Sequence, residues 1–184
     1  AYFTGIGLAF LFVEIAFLQK LVLLVHHPTV ALALALATFL LGAGVGSAWS
    51  SRVAPARSRH ALAMAVAGIV VLGAVCGVVF DALIEAIATW PTAARAVVAA
   101  VMLAPLAFCM GLPLPLALRE LDEPLVPWAW GINGCASVVS AALATLLAVD
   151  LGFSAVLWIA LGLYVLVLAV FPRREVAVDL RRAT

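Results

Sequence analysis

Apolar residues run along this chain in six long blocks, 2–25, 28–51, 60–80, 92–117, 127–149 and 152–171, with charge or proline gathered between them. Each block reaches the roughly 20 residues needed to cross a bilayer, and a backbone in lipid must satisfy its own hydrogen bonds. The pattern therefore predicts an all-α integral membrane protein. Six transmembrane helices fill a domain over 1–172, and a basic tail follows over 173–184. The breaks have a chemical basis. Pro28 opens the second block after His26-His27, Pro124 and Pro127 precede the fifth, and Pro172 stops the sixth. Between the third and fourth blocks, residues 81–90 carry Asp81, Glu85 and Trp90 among aliphatics, which predicts a short interfacial helix.

Composition sharpens this picture. Hydrophobic residues make up 67% of the 184, and charged ones only 10%. An ordinary soluble domain is about half apolar and a quarter charged, and one core could not hide this much apolar surface. The lipid bilayer is thus the expected surrounding partner. The net charge of +1, with no clustered basic surface, argues against nucleic acid. Cys76, Cys109 and Cys135 lie far apart inside apolar runs and read as packing residues rather than metal ligands or disulfides. Ala1 is not a start methionine and no charged leader precedes the first block, so no signal peptide is expected in these residues, and a longer parent polypeptide stays open.

Basic residues set an expected orientation. Arg52, Arg57, Arg59, Arg119 and the tail residues Arg173, Arg174, Arg181 and Arg182 fall on one side of a six-span topology. Lys20 and Arg95 fall on the other. The positive-inside rule then places both termini in the cytoplasm.

Among candidate chemical groups, Glu14 comes first. It sits mid-block between Val13 and Ile15, where a bare carboxylate is costly, so it calls for a partner or a polar cavity. Gln19 and Lys20 follow toward the outer end, but Lys20 lies on a different face and can snorkel to the interface. The partner is expected from the fifth block, where Asn133, Ser137 and Ser140 form one polar stripe at i, i+4, i+7. Such stripes also serve simply as glue between membrane helices. Gly42/Gly46 and Gly73/Gly77 are G-x-x-x-G pairs expected to pack helices closely. Gly111-Leu112-Pro113-Leu114-Pro115 predicts either a kink or an early helix end, because Pro113 and Pro115 remove backbone donors. His26 and His27 are separated by the topology from His60, so no haem pair is read from them. No catalytic triad, metal site or cofactor is expected in this chain.

Several stretches together resemble a known family. They are Gly7-Leu8-Ala9-Phe10 with Val13-Glu14-Ile15 and Gln19-Lys20, His27-Pro28-Thr29, Leu41-Gly42-Ala43-Gly44-Val45-Gly46-Ser47, Gly111 to Pro115 with Leu118-Arg119, and Pro127-Trp128-Ala129-Trp130-Gly131-Ile132-Asn133-Gly134. The set is similar to the C-terminal membrane part of bacterial membrane-bound spermidine synthase-like proteins. The resemblance implies a multi-pass module in the bacterial inner membrane. It also implies a cytoplasmic Rossmann-type, aminopropyltransferase-like domain that uses S-adenosylmethionine derivatives. That domain is absent from these residues, so the chemistry would lie in another part or another polypeptide. Two other readings stand beside it: half of a major-facilitator-like transporter, and a non-catalytic accessory subunit packed against other membrane subunits.

Overall fold

A computed structural model describes residues 1–172. Arg173, Arg174, Arg181 and Arg182, which the orientation reading uses, lie outside the described residues, as does the rest of the tail. The described chain is helical, without strands: α1 (Tyr2–Val25), α2 (Pro28–Ser50), α3 (Ser58–Ala86), α4 (Thr92–Met110), α5 (Pro113–Leu118), α6 (Val126–Leu151) and α7 (Phe153–Ala169), with single 3-10 turns before α3 and α6. Five helical stretches are long and apolar enough to cross a membrane, the pattern of a multi-pass membrane protein. The last helix, α7, is apolar but has 17 residues. It sits at the short end of what a bilayer accepts.

Local chemistry sets the boundaries. The chain leaves α1 through His26, whose φ of 60° is left-handed and whose N–H donates to Val22 O. Pro28 then starts α2 at a position where its missing donor costs nothing. Gly152, at φ 83° and ψ 156°, separates α6 from α7. That conformation is essentially reserved for glycine.

Residues 81–90 differ from expectation. No separate interfacial helix forms between α3 and α4 among the described residues. Instead α3 runs unbroken through Asp81 and Glu85 to Ala86, and a turn links it to Pro91. No proline or glycine lies between Gly77 and Pro91 to stop it, and its 29 residues span about 43 Å, more than a bilayer core is thick.

The core is built around α1, which packs against α6 and α7 and also meets α2, α3 and α4. Phe17 and Phe39 are fully buried beside it, and Phe17 also packs on Phe80 from α3. Helix directions follow from point contacts. Gly42 of α2 faces Ala104 and Ala107 of α4, while Gly46 faces Phe108 and Gly111, so these two helices run parallel. Tyr2 donates a hydrogen bond to Pro113 O (2.9 Å), and Arg95 donates one to Leu24 O (2.7 Å), so α4 with α5 runs antiparallel to α1. One end of the bundle therefore holds Tyr2, Ser50, Arg52, Pro113 and Arg119. The other holds Val25, His26, Asp81 and Arg95.

Candidate functional site

The fourth apolar block breaks where its prolines fall. Helix α4 passes through Pro105 and ends at Met110; Gly111 and Leu112 stay in the right-handed region but interrupt the regular helix, and Pro113 begins the short α5. A proline at 115 leaves the Gly111 carbonyl without its i+4 donor. This interruption faces α2 closely. A Cβ on Gly111 would lie 2.1 Å from Ala43 O, and one on Gly46 would lie 2.1 Å from Phe108 O. Gly42 is also tight, with Ala107 Cβ 2.5 Å from where its own Cβ would stand. Only glycine permits this approach.

A cavity of about 310 Å³ opens beside the break. Its floor comes from Ile6, Gly7 and Phe10 of α1. One wall is α2, through Ala43, Gly44 and Ser47, and the other is α6, through Trp130, Asn133 and Ser137. Met110, Gly111 and Pro115 close the remaining side. Helices α2 and α6 each pack on α1 but form no packed interface with one another, which is why a gap persists between them. Gly44, Ser47 and Trp130 are exposed.

The polar groups here are few and uncharged. The Ser137 hydroxyl lies 2.9 Å from Asn133 O and 3.4 Å from Gly7 O, bonding within α6 and across to α1. The carboxamide oxygen of Asn133 is buried and has no hydrogen-bond partner. Buried polar atoms are nearly always paired in folded proteins, so the unpartnered Asn133 carboxamide is the least satisfied polar group at this cavity. Among the described residues, no Asp, Glu, Lys or Arg lines the cavity.

The polar residues singled out in the sequence divide three ways. Asn133 and Ser137 line the cavity. Ser140 is fully buried and donates to Leu8 O at 2.8 Å, binding α6 to α1. Glu14 and Gln19 lie on α1 outside the cavity lining. Glu14 is 7% exposed, and among the described residues neither a hydrogen bond nor an ion pair reaches it. The partner expected from α6 is out of register. Gly7 already meets Asn133 and Ser137, so Glu14, two turns further on, is level with the aliphatic residues after Ser140. The second glycine pair faces α7: Cβ atoms on Gly73 and Gly77 would each lie 2.7 Å from a Leu161 or Leu157 methyl.

Pattern reading did not single out Gly44, Ser47, Gly111 and Trp130 as site residues. The double proline was the available signal, since it predicts a freed carbonyl, but not what stands opposite it. The two basic residues of the other end are also held internally. Lys20 pairs with Asp81, and Arg95 bonds Leu24 O and Thr92 Oγ1. Among the described residues, no three His, Cys, Asp or Glu side chains gather as a metal site.

Comparison of the chain with protein-family models, with curated proteins and with solved structures finds no match.

Proposed function

We propose that this chain is the six-span membrane module of a spermidine synthase-like protein, with α7 as the sixth span, anchoring or serving a cytoplasmic domain that uses an S-adenosylmethionine derivative. One observation carries the reading. Residues from four separate stretches of the family resemblance, Gly7, Gly44 with Ser47, Gly111 with Pro115, and Trp130 with Asn133, line one cavity. Sequence features scattered over more than a hundred positions thus converge on one place, as a shared function requires.

The cavity lies toward the end of the bundle that bears Arg52, Arg57, Arg59 and Arg119. Arg119 there donates to Ser50 Oγ (3.2 Å) and Val53 O (3.4 Å). The positive-inside rule makes this the cytoplasmic end of a bacterial inner-membrane protein. A catalytic domain on that side would stand next to the cavity. The transporter reading has less support, because Glu14, the carboxyl a carrier would use, does not line the cavity.

The test starts with the intact mass of the native polypeptide in its source membrane. The expected result exceeds 19.1 kDa by a soluble domain, or shows a 19.1 kDa chain purifying with a cytoplasmic partner. Aminopropyl or related transfer by that domain or partner should accompany it. A lone 19.1 kDa chain with no such partner overturns the proposal.

A further inference from the structure

We infer that the cavity between α2 and α6 is a binding site for an uncharged, hydroxyl-bearing amphiphile that enters from the bilayer. The inference uses the cavity's own chemistry and stands whether or not a catalytic domain is attached to this chain.

Charge decides the first part. Among the described residues the lining contains no ionisable side chain: the Ser47 and Ser137 hydroxyls, the Asn133 amide and the Trp130 indole supply all its side-chain polarity. A cation or anion drawn into this low-dielectric space would be left without a counter-charge, which costs far more than a few hydrogen bonds return. Polycations and phosphorylated ligands are therefore disfavoured.

Hydrogen-bond polarity decides the second part. The polar groups without a partner among the described residues are of both kinds: the Asn133 carboxamide, whose oxygen is buried, and the Ser47 hydroxyl and Trp130 indole N–H, while Pro115 removes the i+4 donor of the Gly111 carbonyl. A ligand that satisfies them both donates and accepts without charge, and a hydroxyl is the simplest group that does so. Position decides the third. Trp130 is the fifth residue of α6 and Ser47 lies three residues before the end of α2, so the polar part of the cavity sits near one membrane interface. Ile6, Phe10, Leu40, Met110 and Leu114 supply apolar walls for an alkyl chain. At about 310 Å³ the space is at the lower end of ligand-binding cavities. It takes the hydroxyl end of such a molecule, and the rest of the chain lies in lipid.

The experiment is photolabelling of the full chain in lipid nanodiscs with a diazirine-bearing hexadecanol. Adducts are expected on residues of α2 and α6 that line the cavity, and unlabelled hexadecanol should compete while spermidine and hexadecyl phosphate should not. Asn133→Leu should lower specific labelling about tenfold, the effect of one lost hydrogen bond at a buried site. Gly44→Leu provides a second variant, because a Cβ on Gly44 meets nothing within 4 Å and the side chain can fill the cavity without disturbing the fold. Gly131→Leu, equally open, supplies the matched control outside this cavity. Label spread evenly over lipid-facing residues such as Val138 and Val149, or labelling unchanged in both Asn133→Leu and Gly44→Leu, overturns the site. Competition by spermidine or by hexadecyl phosphate overturns the neutral ligand class.

Discussion

The Lys20 ammonium lies 2.5 Å from Asp81 Oδ1, joining the last third of α1 to α3. The pair is lopsided, since the Lys20 side chain is 8% exposed and that of Asp81 is 67%. Lys20 therefore does not need to reach the interface by itself; α3, by continuing past Phe80, brings a carboxylate to it. The consequence is an asymmetric double-mutant cycle. Asp81→Asn strands a buried ammonium and is expected to cost roughly 1–3 kcal/mol. Lys20→Met leaves a carboxylate that water can solvate and is expected to cost about 1 kcal/mol or less. Unfolding of the reconstituted protein in graded denaturing detergent measures both, and equal losses would contradict the burial asymmetry.

Arg95 closes the C-terminal end of α1, the end that Lys20 also approaches. Its guanidinium donates to the Leu24 carbonyl, one of the last four that a helix cannot satisfy internally, and places positive charge at the helix C-terminus. Arg95→Met is expected to destabilise by roughly 1.5–3 kcal/mol. Arg95→Lys should recover only part of that loss, because a single ammonium cannot reproduce the fork that also touches Thr92 Oγ1. Full recovery by lysine in the same unfolding assay would show that charge alone matters.

The contact of α2 with the α4–α5 break makes the glycines unequal. Gly46→Ala and Gly111→Ala each drive a methyl into backbone and are expected to cost about 1–3 kcal/mol or more. Gly44→Ala meets open space and should be neutral or stabilising by up to about 1 kcal/mol from helix propensity. Gly73→Ala falls between, because the atom it meets is the movable end of Leu161. Thermal aggregation midpoints of the four variants in one detergent give the ranking.

Ser140 and Ser137 belong to one stripe but should respond differently. Ser140→Ala removes a fully buried bond between α6 and α1 and is expected to cost roughly 0.6–1.5 kcal/mol. Ser137 shares its hydroxyl between its own helix and Gly7 O at the longer distance of 3.4 Å. Its alanine variant should lose less than about 0.6 kcal/mol. The same unfolding assay ranks them, and a larger loss at Ser137 would place the main α1–α6 bond there.

Sequence reasoning went furthest where a local cause sets the structure. Pro28 and Pro113 mark helix boundaries because proline lacks a backbone donor. It went less far with Asp81 and Glu85. Their charge marked an interface, but nothing nearby could end a helix, so the chain kept the conformation of α3. For Glu14 the local reading identified a costly group and could not supply its surroundings, because those depend on the register of α1 against α6.

Composition and period, then, determined a multi-pass helical membrane protein, its breaks, and the glycines and polar residues of unusual character. Lipid leaves the backbone almost no alternative to helix, so these properties are local and legible. The tertiary structure decided which helices neighbour one another: that Lys20 meets Asp81, that Arg95 caps α1, and that Asn133, Gly44 and Gly111 share one cavity while Glu14 does not. Helix faces in lipid are uniformly apolar and carry little address. Neighbours are set by the close fit of small residues and by a few hydrogen bonds between positions far apart in the chain.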